Sequence, residues 1–213
     1  MKESTVWMRS LIWAGLLAGA MPAARAAPRY PVVVAQSSLT FTGTQQGEKF
    51  TGVFKSFDAL ILYAAQDLAG SRFEVTIPLN SLDSRSPDRD QSLATADWFD
   101  FARFPVATFR TAGLRSTPTG PVADADISIK GRTKRIVFPF IWKETPAGAT
   151  LDARVTLNRL DFGLGAGDWA DESIVGHKVD VIVHLTLSPA AAAPAAKPVP
   201  KPAARQATKP KAA

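Results

Sequence analysis

Residues 176–188 read Gly-His-Lys-Val-Asp-Val-Ile-Val-His-Leu-Thr-Leu-Ser, and Val179, Val181, Val183, Leu185 and Leu187 stand at every second position. Alternation of this kind turns one face of a strand to an apolar interior and the other to water. The pattern continues upstream. Leu151, Ala153, Val155 and Leu157 form one row, and Phe73, Val75, Ile77 and Leu79 another. Ile127 with Ile129, Phe50 with Gly52 and Phe54, and Leu39 with Phe41 and Gly43 repeat it. Turn signals fall between the rows at Gln46-Gly47, Ala69-Gly70, Pro118-Thr119-Gly120, Gly131 and Pro146-Ala147-Gly148. They divide the chain into eight predicted strands near 32–43, 48–63, 71–80, 105–115, 121–130, 134–144, 149–159 and 176–188.

Many antiparallel strands without long helices between them imply a sandwich or a closed barrel. Eight strands closed on themselves leave an interior that side chains fill or that holds one small ligand. The pattern alone fits both, although the small inward residues Gly43, Gly52 and Ala153 predict some free volume. Two segments break the rhythm. Residues 83–101 read as a loop with a short helix, with Ser86 as its cap and Pro87 in its first turn. Residues 160–175 are Gly-rich and read as turns. Residues 134–142, Lys-Arg-Ile-Val-Phe-Pro-Phe-Ile-Trp, are apolar on both faces. That strand is expected to be covered on both sides or to meet a partner, and Pro139 within it predicts an edge or a bulge.

Composition narrows the function. There are no cysteines among the 213 residues, so disulfides, thiolate metal sites and a cysteine nucleophile are excluded. The net charge of +6 sits at the ends. Between 28 and 189 there remain 17 basic and 18 acidic residues, a balance that argues against a nucleic-acid-binding face.

Lys2 and Arg9 precede an apolar run over 11–21, and Ala24-Arg25-Ala26 follows. This reads as a signal peptide over 1–26 cleaved after Ala26, and predicts export to the periplasm. The run is about half the ~20 residues that span a bilayer. The folded domain is expected over 27–189. Residues 190–213 are Ala, Pro and Lys with nothing to bury, and are expected to form an extended basic tail. A solubilising role and contact with anionic surfaces are both open to it.

Residues of possible chemical use are few. His177 and His184 lie seven apart on one strand, hence on opposite faces, and are not expected to share a metal. Asp88, Asp90, Asp97 and Asp100 interleave with Arg85, Arg89 and Arg103, which suits local capping and ion pairing over a calcium loop. Gly163, Gly165 and Gly167 lack the βαβ setting of a phosphate loop. If Leu157 points inward then Arg159 does too, at a strand end. There its guanidinium would either face a ligand oxygen or pair with Asp161 or the 83–101 loop.

The order of motifs is specific. Ser38-x-Thr40-Phe41-x-Gly43 and Phe50-x-Gly52-x-Phe54-x-x-Phe57 come first, then Arg89-Asp90 before Leu93, and Asp97-Trp98-Phe99-Asp100. Phe104-Pro105, Ala107-Thr108-Phe109, Ile127-x-Ile129-x-Gly131-x-Thr133-Lys134, Arg159-x-Asp161-Phe162-Gly163 and Val175-Gly176 follow. Over roughly 34–188 the chain resembles the YceI family of exported bacterial proteins. Gln45-Gln46-Gly47 and the 167–171 segment resemble one branch of it.

The resemblance implies an all-β fold, a lipocalin-like eight-stranded antiparallel β-barrel with a long apolar cavity. It implies an isoprenoid lipid as guest, either a polyprenyl phosphate or a quinone tail, with no catalysis and no other cofactor. On this basis Phe41, Phe50, Phe54, Phe73, Phe99, Phe109, Phe138, Phe140, Val181 and Val183 are expected to line the cavity, and Arg159 to meet the headgroup. Many members carry a histidine near the end of the first strand. Here that place reads Thr44-Gln45-Gln46, so its role does not carry over. The rivals are an enzyme on a small exported substrate, using Arg159 with Asp161 or Asp100, and a docking subunit. The latter would seat the 134–142 strand on a membrane b-type cytochrome or on a second copy as a homodimer.

Overall fold

The computed structural model describes residues 27–190, which leaves the expected signal peptide and nearly all of the tail outside the described residues. The chain is built from hairpins. Strands β2 (Ser38–Gln45) and β3 (Glu48–Phe54) are joined by Gln46 and Gly47, both with positive φ, at 50° and 82°. Strands β8 (Gly120–Ile129) and β9 (Arg132–Thr145) are joined in the same way by Lys130 and Gly131. Two-residue turns with this handedness match the twist of the strands they connect.

The remaining strands are β1 (Arg29–Tyr30), β4 (Asp58–Leu62), β5 (Arg72–Pro78), β6 (Leu82–Asp83), β7 (Val106–Thr117), β10 (Gly148–Asn158) and β11 (Lys178–Leu187). They form one curled antiparallel sheet in the order β1-β4-β5-β7-β8-β9-β10-β11-β2-β3-β6. The predicted rows meet across it. Leu151 pairs with Leu185, Ala153 with Val183, Val155 with Val181 and Leu157 with Val179. Inside, these rows join two buried clusters, one around Ile61, Phe73 and Leu151 and one around Phe41, Trp98 and Phe162.

The strand count is eleven, not eight. Each predicted run is present, but the one over 48–63 breaks at residues 55–57, and β1 and β6 add two-residue strands. The break has a physical reason. β3 pairs with β2, whereas β4 pairs with β5, so the chain must change partners where the sheet turns its corner. The predicted 32–43 run begins as a short 3-10 turn, Val34–Gln36, and becomes strand only at Ser38. This leading segment bridges the sheet: Tyr63 N–H donates to Pro28 O, and Val33 N–H donates to Thr186 O.

β9 divides its pairing at Pro139. Residues 132–139 pair with β8, and residues 140–145 pair with β10. An imino acid with no N–H to offer is tolerated where one partner is exchanged for another. Phe138 and Phe140 point inward and are buried. Outside, Val137 and Ile141 are more than half exposed, at 52% and 58%, so among the described residues nothing covers the second face.

Gly43 and Gly52 do not create free volume. They sit directly opposite Phe50 and Phe41, whose rings lie across them. A Cβ on Gly43 would stand 2.9 Å from Phe50 Cζ, and one on Gly52 would collide with Phe41 Cζ. Cross-strand rings that cover a glycine stiffen the pair. The short helix α1 (Pro87–Leu93) starts as expected. Ser86 Oγ accepts from Arg89 N–H, Pro87 fills the first turn, and Asp88 and Asp90 lie where the helix dipole favours negative charge.

Candidate functional site

A cavity of about 730 Å³ opens between the sheet and two loops. Its walls are strand rows. β2 and β3 supply Phe41, Phe50 and Phe54; β7 and β8 supply Phe109, Ile127 and Ile129; β10 and β11 supply Leu157, Val179 and Val181. The 83–101 segment covers one side with Leu93, Trp98 and Phe99, and the 160–175 segment another with Phe162, Leu164 and Trp169. A polar rim runs along the β2–β3 turn and α1, at Gln45, Glu48, Lys49, Ser86, Asp88 and Arg89. An apolar interior with polar groups at one end suits a long molecule with a polar head.

Phe41, Phe50, Phe54, Phe99, Phe109 and Val181, among the predicted residues, stand in this wall. Phe73, Phe138 and Val183 instead line a separate void of about 80 Å³ deeper in the sheet, and Phe140 packs beyond it against Phe73. Trp98, Leu157, Phe162 and Val179 were not singled out as wall residues. Their places in the alternating rows, or in the Asp97-Trp98-Phe99-Asp100 motif, were the available signal.

Arg159 does lie at the cavity wall, but its donors are all committed. Nε–H donates to Gly176 O at 3.1 Å. Nη1 donates to Leu164 O at 2.8 Å and Gly165 O at 2.5 Å. Nη2 donates to Trp169 O at 2.5 Å and Val175 O at 2.8 Å. A guanidinium has five N–H donors, and here each meets a main-chain carbonyl. None is left for a headgroup oxygen, and neither Asp161 nor Asp100 forms an ion pair with it among the described residues. Burial pulls the Arg159 pKa below its usual value, against a smaller upward pull from Glu172. Its work is to fasten the 164–176 segment to the strand end.

Arg89 occupies the position expected of Arg159. Its guanidinium lies 4.0 Å above the Phe50 ring. Nε–H donates to Gln45 Oε1 at 3.1 Å, and Nη1 donates to Ser84 O at 3.1 Å. Nη2 has no hydrogen-bond partner among the described residues, which leaves two N–H groups unspent on a residue of the cavity lining. Asp90 is held locally, accepting from Ser84 N–H at 2.8 Å, and Asp100 pairs with Arg103 at 3.6 Å. Lys130 joins the two covering segments, its Nζ donating to Asp97 O at 3.3 Å and Gly163 O at 3.0 Å. Desolvation lowers its pKa more than Asp100 and Asp97 raise it.

The histidines are apart. His177 contacts Ala170 O at 2.6 Å, and His184 meets Asp152 at 2.6 Å on the outer face. Among the described residues no group of three His, Asp or Glu gathers to hold a metal, and no helix is long and apolar enough to cross a membrane.

A family profile described as the YceI-like domain matches residues 30–187. The chain belongs to the YceI family. A UPF0312 protein of Vibrio cholerae is 29% identical over 150 residues, covering 64% of this chain and 78% of the relative. One of Shewanella denitrificans is 31% identical over 135 residues, covering 62% and 69%. Among solved structures, BcnA of Burkholderia cenocepacia is 28% identical with a TM-score of 0.69, over 72% of this chain and 98% of that one. A polyisoprenoid binding domain from Saccharophagus degradans shares the fold at 17% identity, with a TM-score of 0.59 over 78% and 99%. The YceI match runs across the whole curled sheet, from Tyr30 of β1 to Leu187 of β11.

Proposed function

We propose that this YceI protein is an exported, periplasmic carrier that holds an isoprenoid lipid, a polyprenyl phosphate or a quinone, without catalysis. The observation that carries the reading is the apolar cavity with Arg89 in its lining, whose Nη2 has no partner among the described residues. The solved relative from Saccharophagus degradans, described as a polyisoprenoid binding domain, has the same fold and supports it.

Apolarity supplies most of the affinity. Burying an alkyl chain yields ~0.8 kcal/mol per methylene. About ten such groups give ~8 kcal/mol, near micromolar affinity before ordering costs. The rim then needs only to orient the head. Arg89 is stacked on Phe50 and held by Gln45 and Ser84, so little side-chain entropy is lost when its last two N–H groups meet an oxygen.

The test is solvent extraction of protein purified from the periplasm, followed by mass spectrometry. A prenyl lipid in stoichiometric amount is expected. A protein that leaves the cell empty and takes up no prenyl lipid in vitro defeats the reading. Exposed Val137 and Ile141 on β9 favour, as a second reading, a docking surface for a membrane partner or another copy of the chain.

A further inference from the structure

The 80 Å³ void lies just beyond the main cavity, and the two share six wall residues: Leu39, Ile77, Phe109, Ile127, Leu157 and Val181. Every residue lining the smaller void is apolar. A dry apolar hollow of this kind has no use for water and attracts hydrocarbon. The shared side chains are a one-residue-thick partition between the two, and two rings stand in or beside it. Phe109 of β7 packs on Phe138 of β9 with centroids 4.9 Å apart and planes at 58°. Below them the core is filled by packed rings. Phe73, only 1% exposed, meets Phe140 edge to face at 5.2 Å, and Phe140 meets Tyr63 at 5.8 Å. Tyr63 lies against Trp142 at 4.3 Å, so four interlocked aromatic side chains seal the far end.

From this we infer that Phe109, Phe138 and Phe73 form a length stop, and that the protein selects isoprenoid chains by their number of five-carbon units. The inference rests on the carrier reading above and adds a specificity to it. A guest entering tail first passes Trp98 and Phe41 and reaches Phe109. Its terminal unit occupies the void in front of Phe73. Any further unit has no apolar wall to touch and must remain outside the cavity. The strand rows support such a ruler because inward side chains recur at fixed spacing, ~6.6 Å for every second residue.

The test uses the full mature chain, stripped of lipid, and a series of all-trans prenyl monophosphates of increasing length. Quenching of the intrinsic tryptophan fluorescence, to which Trp98 and Trp169 in the cavity wall contribute, reports binding. Affinity is expected to rise about tenfold or more with each added unit, then to stop rising at one length. The ring removed in Phe138→Ala is about the size of one isoprene unit. That variant is expected to move the plateau one unit longer. Should it fail to fold, Val183→Phe fills the void from the opposite wall and is expected to move the plateau one unit shorter. An affinity that climbs through the whole series, or a plateau unmoved in the folded variants, overturns the length stop and leaves the carrier reading standing. Failure of every prenyl phosphate to bind overturns the carrier reading itself, and the stop with it.

Discussion

The guanidinium of Arg89 lies 4.0 Å above the ring of Phe50, which ties α1 to the β2–β3 hairpin across the rim of the cavity. The contact combines cation–π attraction with a hydrogen bond to Gln45. It leaves Nη2 without a hydrogen-bond partner among the described residues.

Arg89→Gln removes the charge and the two outer nitrogens while keeping the aliphatic stem. Binding of a prenyl monophosphate is expected to weaken about tenfold, in line with loss of one charge-assisted hydrogen bond of ~1.5 kcal/mol or more. Binding of the uncharged prenyl alcohol should change little. Titration calorimetry with both ligands measures the difference, and equal losses for the two would remove Arg89 from the headgroup site.

Arg159→Met tests the fastening role. Five main-chain carbonyls lose their donor at once, and the cost is expected to be about 3 kcal/mol or more. Amide exchange should accelerate in residues 164–176 before it does elsewhere. Stability within ~0.5 kcal/mol of the parent would show that water replaces the guanidinium without penalty.

Gly52→Ala places a methyl group against the Phe41 ring. Forcing extra carbon into a filled site costs about 1–3 kcal/mol. A lowered urea midpoint with unchanged slope is expected. The Gly47→Ala control, where no atom lies within 4 Å, should show only the cost of its positive φ of 82°.

Acid stability follows from the outer-face carboxylates. Hydrogen bonds from Thr156 and Arg154 hold Asp180 below its ordinary pKa, and Arg135 does the same for Asp126. A carboxylate with a depressed folded pKa adds stability above its unfolded pKa of ~3.9 and loses that contribution as pH falls through the folded value. The urea midpoint should therefore be insensitive to these groups near neutrality and decline below about pH 4. In Asp180→Asn that acid decline is expected to be shallower. An unchanged slope in this variant would exclude Asp180 as a contributor.

Much of this was legible from alternation alone, and for a physical reason. A strand with one buried face must repeat every two residues, so Val179 to Leu187 could be read as a row before any partner was known. Local turn chemistry was equally readable at Gln46-Gly47, where positive φ suits the pair. What depends on non-local partners was not. Gly43 and Gly52 looked like space until the β2–β3 register put Phe50 and Phe41 across from them. The break at residues 55–57 has no breaker residue; it arises because β3 and β4 belong to different pairings. Alternation links Arg159 to the row of Leu157, but its partners are carbonyls of a segment whose path no spacing encodes. The interleaved acids suggest ion pairing for Arg89, and only the fold brings it over Phe50.

Lys130 clasps the carbonyls of Asp97 and Gly163, and Gly165 N–H donates to that same Asp97 O. The two covering segments are therefore stitched into a single roof, with Arg159 as its anchor. A roof sewn on that side yields first along its other seam, between α1 and the β2–β3 hairpin. On the carrier reading proposed above, exchange of a guest would be timed by how often that seam parts, so residence could be long even where affinity is modest.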